Sequence, residues 1–395
     1  MIKMSDKNNQ PTVAVYYFPN YHIDSRNEAA HGEGWTEWEL VKSATPRFPG
    51  HQQPKVPLWG YLDESLPETA EKQIDAAADH GIDAFIYDWY WYEDGPFLNA
   101  ALENGFLQAA NNNRLKFSIM WANHDWINIF PYKRGTDHTL LQKGQVSLKA
   151  FEEACDYMIR NYFVHPNYWR VNDGLYVSFY ELMSLIQGLG GREETRNALE
   201  AFREKVRAAG LGELHLNAVV WGIQNLPGER TLENPAEMVK DFGFDSVTSY
   251  VWIHNVPMET YPTVSYPEYA SLAQKDWSRF REQFNVPYFP NVSMGWDSSP
   301  RTVQSDVHAN IGYPHTPILV GNTPDEFRNS LLAVRDFLIE NAATPPIVTV
   351  NSWNEWTEGS YIEPDTVYGM QYLEAIRDVF GMRKQHPGEY KGQST

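Results

Sequence analysis

The chain of 395 residues carries one cysteine, Cys155. An internal disulfide and a cysteine zinc cluster are therefore excluded. Cations are scarce as well: 32 Lys and Arg stand against 51 Asp and Glu, a formal charge of −19. A chain this acidic repels phosphate backbones and anionic lipid, and no basic run interrupts it, so nucleic acid is a poor partner. No apolar run approaches the roughly 18–20 residues of a membrane span. The opening MIKMSDKNNQ lacks the apolar segment of a secretory leader, so a cytoplasmic location is expected, or an extracytoplasmic one if a leader was trimmed. There is no G-x-x-x-x-G-K-[ST] phosphate loop, no Asp-x-Asp triplet and no H-E-x-x-H zinc pattern. No cofactor and no metal are expected.

What the chain has in quantity is aromatic: 14 Trp, 23 Tyr and 19 Phe. The tryptophans recur in polar company, as Trp35 and Trp38, Trp89 and Trp91, Trp121 and Trp126, Trp353 and Trp356. Each either fills a large core or walls a pocket for ligands with an apolar ring face.

No linker or low-complexity tract divides the sequence. Short apolar, β-branched and aromatic segments alternate with longer amphipathic ones, the rhythm of a parallel sheet with crossover helices. Eight strands are predicted, beginning at Val13, Ala84, Leu115, Leu175, Leu214, Phe244, Tyr288 and Pro346. Two helices are marked by capping boxes, Ser65/Glu68 with Pro67 and Thr323/Glu326 with Pro324. Ala70, Ile74, Ala77 and Ala78 form the buried face of the first, which Gly81 ends; Phe327, Leu331, Val334 and Leu338 form that of the second. The eight units predict a single (β/α)8 barrel over residues 12–382, with a disordered segment 1–11 and a tail 383–395. Connections after strands one, three and seven are long (Pro19 to Leu62, Asn123 to Val146, Trp296 to Asn322). Barrel enzymes place their chemistry in such loops.

The strand ends bring forward Tyr17, Asp88, Trp121, Asn123, His124, Tyr250, Trp252, Trp296 and Asn351 as candidate subsite contacts. Carboxylates, amides, imidazoles and aromatics suit a carbohydrate, whose hydroxyls want polar partners and whose ring faces want aromatics. The densest segment, SWNEWTEGSYIEPD from Ser352 to Asp365, leaves the eighth strand and presents Glu355 and Glu358. In a helical turn, residues three apart share a side, with Cβ atoms roughly 5–6 Å apart. Two carboxyls in a partly apolar pocket repel, one keeps its proton, and an acid and a base result, as glycosidic cleavage needs. On spacing alone, the pair reads as two surface residues of a polar loop; its position after the eighth strand, among three aromatics, favours the site.

SWNEWTEGSYIEPD resembles the terminal-strand motif of glycoside hydrolase family 99. YYFPNYH, GWTEWELV, FPGHQQPKVPLWGYLD, DAFIYDWYWY and IMWANHDW resemble the WbsX-like family, in order, from Val13 to about Phe380. The resemblance implies a (β/α)8 barrel acting on a poly- or oligosaccharide. Family 99 implies retaining, metal-free cleavage in which the substrate's own 2-hydroxyl attacks the anomeric carbon to give a 1,2-anhydro sugar. Carried over, Glu355 is the base at the 2-hydroxyl and Glu358 the acid at the departing oxygen. The WbsX-like resemblance, closer than that to family 99, also implies glycosyl transfer in surface-polysaccharide synthesis. Two further alternatives are a double displacement using Glu181 with Glu355, where Glu181 otherwise serves as a helix N-terminal charge, and a lectin-like binder.

Overall fold

The structure, a computed structural model, describes residues 10–343 and 345–381. The predicted terminal segments 1–11 and 383–395 lie almost wholly outside them. Nine parallel stretches form the main sheet, and two are halves of one interrupted strand. The barrel strands are β1 (Thr12–Tyr17), β2 (Ala84–Tyr92), β3 (Lys116–Trp121), β4 (Gly174–Phe179), β5 (Leu214–Val219), β6 (Ser246–Thr248), β7 (Tyr288–Phe289 and Asn291–Ser293) and β8 (Ile347–Asn351). Each pairs in parallel with the next, and β8 returns to β1 in the register Thr12↔Ile347. The predicted starts fall within two residues of these bounds.

Pro290 interrupts β7. Tyr288 and Phe289 pair with β6, while Asn291 to Ser293 pair with β8. Proline has no N–H for a ladder, but its carbonyl still accepts from the Thr349 N–H at 2.9 Å. The two halves together close the barrel.

The helices are α1 (Ser25–His31), α2 (Trp38–Ser43), α3 (Pro67–Asp79), α4 (Leu148–Asn161), α5 (Leu182–Leu189), α6 (Arg192–Ala208), α7 (Pro235–Asp241), α8 (Tyr266–Gln283), α9 (Pro324–Glu340) and α10 (Gln371–Ile376). The crossover from β2 to β3 is instead a π-turn, Ala101–Gly105, and two 3-10 turns. There a Cβ on Gly105 would lie 2.3 Å from the Glu64 carbonyl oxygen.

Thr323 caps α9 as predicted, accepting from the Glu326 N–H at 3.3 Å. The other predicted box fails. Leu66, held extended before Pro67, takes the N-cap position of α3 without a side-chain bond, and the Ser65 hydroxyl donates to Asp63 instead at 2.6 Å.

Strand parity sorts the side chains. On β2, Phe85, Tyr87 and Trp89 face the surrounding layer, where Tyr87 meets Phe106 and Trp89 meets Tyr162 of the α4 end. Asp88 and Tyr90 have the opposite parity and face the barrel mouth. The interior is unusually polar: Ser178 donates to Asn217, and Asn217 to Ser246, both at 2.8 Å. Every hydroxyl and amide of that chain is buried and paired, the arrangement that makes buried polar groups tolerable.

Candidate active site

Beyond β8 the chain forms a small hairpin. Asn354–Glu355 pairs antiparallel with Ser360–Tyr361, and Trp356–Glu358 is the 3-10 turn between them. Asn354 fastens this hairpin to the exit of β1, accepting from the Phe18 N–H and donating to its carbonyl. Gly359 closes the turn at φ +60°, where a Cβ would lie 2.7 Å from that of Asp297. The close approach lets the Asp297 N–H donate to the Glu358 carbonyl at 2.5 Å. Asp297 is itself anchored, accepting from Gln53 and bonded to His51 at 2.7 and 2.8 Å.

This scaffold buries Glu355 and Glu358, 4% and 6% exposed, on the wall of one cavity. Arg301, from the 3-10 turn after β7, spans both carboxyls: Nη1 donates to Glu358 at 2.5 Å and Nη2 to Glu355 at 3.2 Å. Its Nε donates to Glu37 and to the Thr357 hydroxyl, each at 3.0 Å. The Tyr313 hydroxyl adds a bond to Glu358 at 2.6 Å. On the far side of Glu355, the Tyr250 hydroxyl lies 2.9 Å from its Oε2 and 2.8 Å from Oδ2 of Asp88.

Burial, and then the neighbouring Glu358 charge, push Glu355 well above the usual carboxylate range, with Arg301 opposing. Glu358 is also raised by burial, against the pull of Arg301 and the Tyr313 hydroxyl. Asp88 is raised well above its ordinary value by burial, with the Tyr250 bond opposing. The site thus holds carboxyls that bind their protons more tightly than free side chains do, the direction general acid catalysis requires.

Aromatic rings enclose these groups: Tyr90, Trp126, Phe130, Tyr180 and Trp296. His124 lies among them. Its Nδ1 is 2.9 Å from the Asp125 carbonyl, which only accepts, so Nδ1 carries the proton and Nε2 is an acceptor. Burial lowers the pKa of His124 and keeps the ring neutral. Behind the cavity wall, Tyr180 donates to the buried Glu229 at 2.5 Å, and Glu229 also accepts from the Asn225 and Leu226 N–H groups.

Of the residues expected at the site, Glu355, Glu358, Asp88, His124, Tyr250 and Trp296 line this cavity. Five others lie elsewhere. Tyr17 has outward parity and donates to Gln73 of α3 at 2.9 Å. Trp121 likewise faces outward, stacked on Phe151 of α4. Both ends of the Asn123 amide are occupied by the Glu181 backbone. Trp252 stacks on Tyr266 of α8 and donates to the Asn291 carbonyl. Asn351 accepts from the Ser360 hydroxyl at the base of the hairpin. Glu181 is not among the residues lining the cavity, and its carboxylate caps α5 through the Ser184 N–H.

Arg301, Tyr313 and Tyr90 are cavity residues that strand-end reading missed. Arg301 and Tyr313 lie inside the long loop after β7, where no periodicity marks a side chain's direction. The inward parity of Asp88 extends by two residues to Tyr90, a signal that was present.

Among the described residues no helix is long and apolar enough to cross a membrane. Comparison with solved structures agrees with the architecture. The endo-alpha-mannosidase of glycoside hydrolase family 99 from Bacteroides thetaiotaomicron superposes with a TM-score of 0.54 at 16% identity, covering 94% of this chain and 96% of the other. A structure described as a glycoside hydrolase-like protein superposes with a TM-score of 0.59 at 17% identity, covering 96% of each chain. At such identities the likeness concerns the fold, a TIM barrel shared with glycoside hydrolases. Two WxcX proteins of Xanthomonas campestris pv. campestris, both described as uncharacterized, are 28% and 27% identical over 381 and 387 residues. The chain spans about half the length of these relatives, 49% in each case. The family model described as glycosyltransferase WbsX matches residues 13–376, from the first residues of β1 to the end of α10, and the chain belongs to that family.

Proposed function

We propose that this barrel hydrolyses glycosidic bonds of a poly- or oligosaccharide with net retention, using Glu355 and Glu358. The observation that carries the reading is the delivery of both carboxyls by one hairpin turn into one aromatic-walled cavity, where a single guanidinium holds them. Glu355 takes the proton of the sugar's 2-hydroxyl as that oxygen attacks C1. The bond from C1 to the leaving oxygen breaks, and Glu358 protonates that oxygen. Glu358, now a carboxylate, activates a water that attacks C1 and opens the 1,2-anhydro ring, and Glu355 returns its proton to O2. Two inversions at C1 give retention. Neither carboxyl has to reach C1 itself, which suits two groups that share one arginine. His124, with Nε2 as acceptor, and the ring faces of Trp296 and Tyr90 supply contacts for the sugar.

The test is a screen of α-mannosides and of bacterial and fungal polysaccharides, with the anomer of the first product followed by NMR. Retention is expected, as is loss of roughly 10²–10⁴-fold activity in E355Q and E358Q, the contribution of general acid–base groups. Prompt inversion overturns the mechanism. Release of nucleoside diphosphate from a nucleotide sugar, without reducing ends from any glycan, assigns the site to transfer instead. Full binding affinity in both variants with no activity to lose assigns it to a lectin.

A further inference from the structure

The bond between Asp88, Tyr250 and Glu355 leaves a proton to be placed. The phenol oxygen lies 2.8 Å from Asp88 and 2.9 Å from Glu355, yet it has one proton to give. If both carboxyls were ionised, one would face a phenol lone pair at hydrogen-bond distance with nothing between them. One of the two therefore donates to Tyr250 while Tyr250 donates to the other. Charge leads to the same place. Glu37, Asp88, Glu355 and Glu358 are all buried, and Arg301 is the guanidinium that reaches three of them. Four buried carboxylates around one cation are too costly to desolvate unless protons remain among them. Asp88 is also the member whose second oxygen, Oδ1, has no hydrogen-bond partner among the described residues.

We propose that Asp88, acting through the Tyr250 hydroxyl, takes up the proton of Glu355 and so sets Glu355 as the base of the reaction. In one arrangement Glu355 holds the proton and donates to Tyr250, which donates to Asp88. In the other, the Glu355 proton has moved to the phenol oxygen as the phenol proton moved to Oδ2 of Asp88. Two O–H bonds break, two form, and Glu355 becomes a carboxylate with no proton lost to solvent. This resolves a conflict in the site, where burial favours a neutral Glu355 and catalysis requires an ionised one. The rings of Tyr16 and Tyr180, centred 4.7 and 5.4 Å from that of Tyr250, hold the phenol in line. The charged and titratable groups around the relay are Tyr16 and Tyr21 from the β1 end, Tyr90 from β2, Tyr180 after β4, His254 after β6, Glu358 after β8, and Arg301 on the opposite edge of Glu355. Asp88 is a positioning residue in this scheme, since it acts on the substrate only through Glu355.

The inference rests on the role proposed for Glu355, so the experiment has an arm that needs no substrate. In D2O, the C=O stretch of protonated carboxyls is followed by infrared spectroscopy through a pH titration of ligand-free wild type, D88N, Y250F and E355Q. The E355Q difference identifies the Glu355 signal. Its titration is expected to move by about one pH unit or more in both D88N and Y250F, because an interacting pair titrates jointly and a single group does not. An unmoved Glu355 titration in both variants overturns the relay. In the second arm, kcat/KM of wild type and variants is profiled against pH on the glycan found by the screen. The acid limb is expected to move downward in D88N, which removes an anion that raises Glu355, and upward in Y250F, which removes a bond that lowers it, and D88N is expected to shift it less in the Y250F background than in wild type. A uniform loss at every pH marks a structural role and also overturns the relay. Absence of activity on every glycan strikes the glycosidase reading, while the infrared arm still decides the relay.

Discussion

Arg301 reaches Glu37, Glu355 and Glu358 from a site only 4% exposed. Removing it, as in R301M, leaves three buried carboxyls without their cation. Breaking a buried ion pair from one side costs about 3–5 kcal/mol, and that loss is expected in chemical denaturation near neutral pH. Its pH dependence follows from the sign of the shifts. Glu355 and Glu358 are raised above their ordinary values even with Arg301 present, so the folded state already binds protons more tightly than the unfolded chain. Without the guanidinium they rise further. The stability deficit of R301M therefore grows as pH rises from the ordinary carboxylate range toward neutrality, and shrinks as the carboxyls protonate. A deficit independent of pH contradicts this account of the network. Individual residues were legible unevenly, and strand parity is the reason. Sequence marked where each strand ends, but nearly continuous apolar strands hide which of two neighbouring residues points inward. Asp88 and Tyr250 have the inward parity, whereas Tyr17 and Trp121 face α3 and α4.

The hairpin after β8 depends on one backbone position. Gly359 adopts φ +60° with a Cβ position 2.7 Å from that of Asp297, whereas Gly60 adopts φ +79° with nothing within 4 Å. Both alanine variants incur the left-handed strain of about 1–2 kcal/mol. Only G359A must also push Asp297 away, and with it the bond from the Asp297 N–H to the Glu358 carbonyl. G359A is expected to lose more stability than G60A in denaturation, and most of its activity, while G60A keeps its activity. Equal effects in the two variants would mean that the approach of the β7 and β8 exits does not place Glu358. The helices show why some local signals were reliable and others were not. Thr323 caps α9 because an extended residue with a free hydroxyl precedes Pro324. Ser65 carries the same spacing one residue too early, and Asp63 takes its hydroxyl. A capping pattern names two candidate partners; the conformation forced by the following proline selects between them. The π and 3-10 turns between β2 and β3 had no sequence signal, because the contact of Gly105 with Glu64 that shapes them joins segments 41 residues apart (105 − 64).

The barrel itself was the most legible feature, since eight buried parallel strands impose a hydrophobic rhythm on the chain. Its closure was not, because it runs through a seventh strand whose halves pair with different neighbours on either side of Pro290. The net charge of −19 acts on the molecule as a whole, and among the described residues the cavity offers no free cation against it, since Arg301 is paired with the carboxyls that line it. If the proposed hydrolysis holds, substrates carrying carboxylate or sulfate groups approach against this field, and neutral glycans do not feel it. The Debye length falls from roughly 30 Å at 0.01 M salt to about 8 Å at 0.15 M. Over that interval kcat/KM on an anionic polysaccharide is expected to rise, because screening weakens a repulsion that lowers the encounter rate. On a matched neutral polysaccharide it is expected to stay flat. The comparison needs both substrates at low occupancy, where kcat/KM governs the rate and burial shields the carboxyls from added ions. A fall with salt on the anionic polymer would reveal an attractive basic surface that outweighs the acidic total, and would redirect the substrate search from neutral glycans to polyanions.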